Sequence, residues 1–171
     1  STSKEPYEKM EAWRSNYHGL QARFKKTNFI LYGSVDDIWL DTKNNYLILV
    51  DYKSQANEKE VSQETYWGGD FKTGYQTQLD FYFYLLKQQN FKETISDDAY
   101  LLVVNARGLE DKFDNKLLFE STLIHTKVKD DYLENEIQEM IDVFNSHNMP
   151  ESNKLCKNCA YARQRSVIDK L

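Results

Sequence analysis

Two neighbouring stretches, Phe29 to Leu40 and Tyr46 to Lys53, are rich in β-branched, aliphatic and aromatic residues, and the "DTKNN" between them has turn composition. This pattern predicts a β-hairpin. Farther along, Tyr75, Leu79, Tyr82, Phe83 and Leu86 recur at helical spacing, which predicts a core-facing helix from Thr73 to Gln89. A second stripe of Leu133, Ile137, Met140, Ile141 and Phe144 predicts another helix ending near Ser146. Between them, Tyr100 to Asn105 and Lys116 to His125 read as strands. At the N-terminus, Tyr7, Met10, Trp13 and Tyr17 put one apolar face on a helix from Lys4 to Tyr17, followed by a short strand from Leu20 to Phe24. The polar, Gly-containing Asn57 to Asp70 reads as a loop, and Pro150 as the start of a C-terminal tail. Strands and helices in this order predict an α/β sandwich around a mixed central sheet.

Composition narrows the class. A chain of 171 residues suits one domain with its own core, so a single domain over 1–171 is expected. Hydrophobic residues at 40% and charged residues at 29% describe a soluble globular protein. The longest apolar run is six residues, far short of the roughly 20 that a spanning helix needs, so a cytoplasmic protein with no membrane partner is expected. A formal charge of -5 argues against a broad basic coat for nucleic acid, although a carboxylate-built metal site adds negative charge by itself. Two cysteines, Cys156 and Cys159, form one C-x-x-C, too few for a disulfide framework and closer to half of a metal or cluster site.

The chemistry concentrates in "GSVDDIWLDTKNNYLILVDYKS". Strand side chains alternate, so Leu47, Leu49, Asp51 and Lys53 share one face and Tyr52 takes the other. An acid and an amine on a face patterned for burial are costly unless paired or metal-bound. An even hairpin loop centred between Lys43 and Asn44 sets Asp36 opposite Asp51; a centre one residue later sets it opposite Lys53. An odd loop would present Asp37 instead, because a one-residue slip flips every side chain. Asp36 is preferred. Two carboxylates at a strand end, with the Tyr52 backbone carbonyl, suit a hard cation such as Mg²⁺ or Mn²⁺ that keeps several waters. Such an ion polarises a phosphoryl oxygen and lowers the pKa of a bound water, while Lys53 orients that water and offsets the developing charge.

At these residues the chain resembles the PD-(D/E)xK nucleases, particularly their RecB, AddB and CRISPR-adaptation exonuclease branch. The matching elements are "GSVDD" with Gly33 and Asp36, "VDYKS" with Asp51 and Lys53, and "YQTQLDFYFYLL" with Gln78 and Tyr82, which is similar to a Q-x-x-x-Y signature. The resemblance implies a restriction-endonuclease-like core with a mixed central sheet flanked by helices, and metal-dependent hydrolysis of DNA phosphodiesters with exonuclease action favoured. It implies catalytic roles for Asp36, Asp51, Lys53, Gln78 and Tyr82, the last two on a helix beside the active site where they hold the lysine or the DNA. The i, i+4 spacing places Gln78 and Tyr82 on one helix face, and Tyr82 also belongs to the apolar stripe.

"MPESNKLCKNCAYARQ" carries the resemblance almost to the end of the chain. It implies that Cys156 and Cys159 are a remnant of an Fe–S site, because a [4Fe–4S] cluster takes four thiolates and further cysteines would have to come from outside this chain. The family also places an acidic or His motif on an N-terminal helix, for which Glu8, Glu11 and His18 are the candidates. DNA is the expected partner, within a larger DNA-processing assembly. The rival reading is an inactive module of the same fold that binds nucleic acid or a protein. In it, Lys25, Lys26 and Lys72 with exposed Tyr66 and Trp67 would hold a single strand by charge and stacking.

Overall fold

A computed structural model describes residues 5–68, 72–106, 115 and 117–168, with side chains described from residue 9 onward. The described residues fall into two compact units divided between Leu133 and Glu134.

The first unit opens with helix α1 (Glu5–Arg14) and the antiparallel strands β1 (Leu20–Arg23) and β2 (Ile30–Gly33). Helix α1 stops three residues short of Tyr17. The chain turns there, with the Gly19 N–H donating to the Ala12 carbonyl at 2.9 Å. Gly19 has φ +57°, and a Cβ on it would lie 2.6 Å from the Tyr32 ring and 2.7 Å from the Gly33 carbonyl, so glycine is required. Trp13 is buried and Met10 packs against the core, but Tyr17 is 91% exposed and is no part of the predicted stripe.

The segment from Phe29 to Leu40 is two strands rather than one. After β2, the Val35 side chain enters the core and its N–H donates to the Trp13 carbonyl at 3.1 Å, which takes residues 34–36 out of any ladder. The chain restarts as β3 (Asp37–Asp41), paired antiparallel with β4 (Tyr46–Ala56). The short helix α2 (Gln63–Tyr66) occupies part of the segment read as a loop. Val61 and Tyr66 are buried around it, and the Gln63 amide clamps the His125 backbone at 2.7 and 2.8 Å.

Helix α3 (Lys72–Lys87) then crosses from β4 to β5 (Thr94–Ala106), which runs parallel to β4, and β6 (Phe119–Lys127) closes the sheet antiparallel to β5. The order is β3-β4-β5-β6, a mixed sheet as expected. A parallel pair needs such a crossover, and the helix covers the sheet face it returns over. Leu79, Tyr82, Phe83 and Leu86 of α3 are buried in one cluster with Leu49, Leu101, Val103 and Ile124 of the sheet, which fixes α3 above the inward face of β4. Of the predicted strand from Lys116, residue Lys116 itself lies outside the described residues.

One buried charge locks α3 to the chain after β6. Asp80 is 1% exposed and accepts hydrogen bonds from Gln76 Nε2 (2.8 Å), the Lys129 N–H (3.1 Å) and Tyr132 Oη (2.8 Å). Asp80→Ala should cost roughly 2–4 kcal/mol of stability in urea unfolding, because it strands several buried donors at once; a loss under about 0.5 kcal/mol, the range of an ordinary surface change, would show the network to be dispensable.

In the second unit, α4 (Leu133–Asn145) starts at the boundary, and the tail read from Pro150 contains a further helix, α5 (Lys157–Ile168), none of whose side chains is buried. Its weak apolar periodicity explains why it was not legible. Along α4 the stripe is narrower than predicted: Leu133, Ile137 and Ile141 are buried, whereas Met140 and Phe144 are 64% and 75% exposed.

Candidate active site

The β3–β4 turn sets the register on which the site depends. Asp41 pairs with Tyr46, leaving a loop of Thr42 to Asn45, an even number of residues. The Asp41 carboxylate accepts from the Lys43 and Asn44 N–H groups at 2.9 and 3.2 Å, and Asn45 takes the left-handed conformation at φ 57°. This register sets Asp37 opposite Val50, so Asp36, one residue before β3, comes level with Asp51.

The adjacent aspartates diverge. Asp36 turns to the Asp51 side of the hairpin, where its Oδ2 accepts the Tyr52 N–H at 2.7 Å. Asp37 turns to the other side and accepts from Tyr52 Oη (2.5 Å), Arg14 Nη2 (2.8 Å) and Trp39 Nε1 (3.3 Å). Burial pushes the Asp37 pKa up, but the bonds from Tyr52, the Ile38 N–H and Arg14 outweigh it and leave it lowered. Arg14 also donates to the Asp36 carbonyl at 2.6 Å, so α1 holds the bend that aims Asp36.

Asp51 is 2% exposed. Lys53 Nζ lies 2.5 Å from its Oδ2, an ion pair at close range. The ammonium is that oxygen's only described partner. Burial raises the Asp51 pKa, Lys53 opposes the shift, and the neighbouring Asp36 carboxylate adds to it through repulsion and a shared hydrogen bond. The lysine is held from α3 as well: Nζ donates to Gln78 Oε1 at 2.9 Å and sits 4.5 Å from the Tyr75 ring centroid. Gln78 Nε2 in turn donates to Tyr82 Oη at 2.8 Å. Burial raises the Tyr82 pKa against the opposing bond from Gln78. Gly33 of β2 makes room for this tyrosine, since a Cβ there would lie 2.7 Å from the Tyr82 ring.

Asp36, Asp51, Lys53, Gln78 and Tyr82 therefore meet at one place, and the Tyr52 carbonyl belongs to the strand between Asp51 and Lys53. Two hard carboxylates, one of them buried and balanced by a single ammonium, fit a divalent cation that draws most of its ligands from water. The N-terminal candidates Glu11 and His18 make no described contact with them. Glu11 and His18 are exposed, His18 Nδ1 lying 3.2 Å from Ser15 Oγ, and the Glu8 side chain is outside the described residues. Among the described residues no three His, Cys, Asp or Glu side chains converge. Cys156 and Cys159 are bonded to each other as a disulfide, and a [4Fe–4S] cluster would need four free thiolates.

The predicted stacking platform is also different. Tyr66 is 5% exposed and Trp67 is partly buried against the core, so the pair is not the fully exposed stacking surface expected. Instead Tyr66, Tyr75 and Lys72 border the Asp51–Lys53 pair, with Lys72 Nζ 3.4 Å from the Tyr66 ring centroid and 5.6 Å from that of Tyr75. Sequence reading missed Arg14, Tyr66 and Tyr75 as neighbours of the site. Tyr75 carried a signal, standing three residues before Gln78 at the edge of the same stripe; Arg14, 22 residues from Asp36, carried none.

No curated protein and no solved structure matches the chain. The sequence model of one family, described as the PD-(D/E)XK nuclease superfamily, matches residues 3–164. That span includes every residue of the Asp36–Asp51–Lys53 cluster and both strands of its hairpin, and the protein belongs to the PD-(D/E)XK nuclease superfamily, with the mixed sheet of the restriction-endonuclease-like fold.

Proposed function

We propose that the protein is a Mg²⁺- or Mn²⁺-dependent deoxyribonuclease that hydrolyses phosphodiester bonds, acting as an exonuclease in keeping with its resemblance to the RecB-like branch. The observation that carries this reading is the meeting of Asp36 and Asp51 with Lys53, itself tied to Gln78 of α3. A divalent ion taken by the two carboxylates, with the Tyr52 carbonyl as a third oxygen, would polarise a phosphoryl oxygen and lower the pKa of a bound water.

The chain's own groups do the rest. Asp36 and Asp51 supply the negative charge that draws the ion, and burial of Asp51 strengthens that attraction by excluding competing water. Lys53 lies beside them to orient a water and offset charge growing on the phosphate. Gln78 keeps the flexible lysine stem from leaving, and Tyr82 fixes the Gln78 amide. DNA is the substrate this reading assigns, and no described helix is long and apolar enough to cross a membrane.

End-labelled linear single- and double-stranded DNA incubated with the purified chain is the test. Cleavage is expected with Mg²⁺ or Mn²⁺, releasing short products from the ends, and chelation should abolish it. Absence of cleavage with either ion removes the enzymatic reading, and internal cuts in circular DNA would remove the exonuclease part alone.

A further inference from the structure

Among the described residues, one buried side-chain oxygen has no polar partner at all, Tyr66 Oη, and a second, Asp51 Oδ2, has only the Lys53 ammonium. They lie at the same site: the Asp51 carboxylate acts electrostatically on the Tyr66 hydroxyl, as does Tyr75. A buried hydroxyl without a partner costs free energy, so a group of this kind calls for a ligand that completes it. Burial pushes the Tyr66 pKa up to about 12, which leaves the hydroxyl a proton donor at any working pH.

Lys72 gives the second observation. Its ammonium lies on the Tyr66 ring and shares the Tyr75 ring with Lys53, the centroid distances to Tyr75 being 5.6 and 4.5 Å. Lys53 has Asp51 as counter-charge, whereas no described carboxylate pairs with Lys72. Two ammonium groups over one ring repel each other, and cation–π contacts offset only part of that. An anion entering beside Tyr66 would satisfy the hydroxyl and the second ammonium together.

We propose that Tyr66 and Lys72 grip the backbone of the strand being cut, the Tyr66 hydroxyl donating to a non-bridging oxygen of the phosphate at Asp36 and Asp51, and the Lys72 ammonium neutralising the adjoining phosphate. This rests on the nuclease reading for the identity of the anion as a DNA phosphate. It assigns α2 and the start of α3 a part in substrate positioning that the carboxylate–lysine motif does not contain. The packing of Tyr66 explains why it is not a stacking platform: the residue is buried, and a cation lies over the face of its ring.

Tyr66→Phe and Lys72→Gln test this, with Lys72→Arg as the conservative control. Affinity for a fluorescent oligonucleotide is read by anisotropy in Ca²⁺ at several salt concentrations, kcat and KM in Mg²⁺, and Tm by thermal unfolding. Tyr66→Phe is expected to lower kcat/KM about 10-fold or more with Tm unchanged or raised, since the hydroxyl it removes has no protein partner. A structural role would instead lower Tm. Lys72→Gln is expected to weaken binding roughly 5- to 10-fold and to make the salt slope shallower by about 1, with Lys72→Arg restoring most of the affinity.

Wild-type affinity, salt slope and turnover in both Tyr66→Phe and Lys72→Gln would overturn the proposal, and so would losses that track a fall in Tm. The nuclease reading fails separately, if the wild-type chain cleaves nothing with Mg²⁺ or Mn²⁺. Anisotropy then decides alone: weaker binding by Lys72→Gln keeps the phosphate grip, and unchanged binding removes it.

Discussion

Asp51→Asn is expected to lower kcat by about 10³-fold or more, because it removes one of two carboxylates that hold the ion and leaves the charge on the phosphate unmet. The same substitution should leave the fold at least as stable as wild type at neutral pH. Burial holds the Asp51 pKa above its ordinary value, so the carboxyl ionises less readily in the folded chain than in the unfolded one. The contribution of this group to stability is therefore complete below the unfolded carboxylate pKa of about 3.9 and is lost as pH rises through the raised folded value. Asparagine does not ionise, and Lys53 keeps Gln78 and the Tyr75 ring after the carboxylate is gone.

Thermal unfolding across this pH range, with and without Mg²⁺, checks both halves. The stability of Asp51→Asn relative to wild type should grow with rising pH and then level off. Mg²⁺ should raise the wild-type Tm, since a ligand that binds only the folded state stabilises it, and should leave the variant unmoved. Cleavage by Asp51→Asn within tenfold of wild type, or an equal Mg²⁺ shift in both proteins, would take Asp51 out of the metal site.

Lys53→Met should lower kcat by about 10²- to 10³-fold with a much smaller change in KM, the pattern of a group whose charge matters most in the transition state. Methionine preserves the length of the stem and its packing beside Tyr75, so stability should hold. Gln78→Leu tests how the lysine is held. Its amide touches Lys53 Nζ and Tyr82 Oη, so it acts through the lysine as a positioning residue. A fall of roughly 10-fold in kcat is expected, the scale of losing one hydrogen bond to a charged group. In Lys53→Met the same Gln78 change should add almost nothing, because residues acting as one unit are not additive. Additive losses in the double variant would separate Gln78 from the lysine.

The hairpin illustrates what the amino-acid order can fix. Turn composition at "DTKNN" and the period of two along β4 placed Asp51 and Lys53 on the inward face and narrowed the second acid to Asp36 or Asp37, with Asp36 preferred, and the observed even loop brings Asp36 level with Asp51. Register arithmetic works here because the partners are close in sequence and one face is buried, so a slip would expose the entire set. Helix α3 was legible for a like reason, its apolar spacing being long and regular.

Other features depended on contacts that no local pattern encodes. The break at residues 34–36 comes from Val35 entering the core and bonding Trp13, and Arg14 reaches the bend from a helix more than twenty residues earlier. Tyr66 resembled a loop aromatic by its polar neighbours, yet α2 buries it against the core. Sequence by itself determined the mixed α/β plan, the acid–acid–lysine set and the helix that carries Gln78, because each follows from periodicity and short-range pairing. Tertiary structure alone decided that Asp37 faces away with Arg14 and Tyr52, that Gln78 meets Lys53, and that Tyr66 and Lys72 border the carboxylates. These are meetings between elements distant along the chain, settled by which faces pack together.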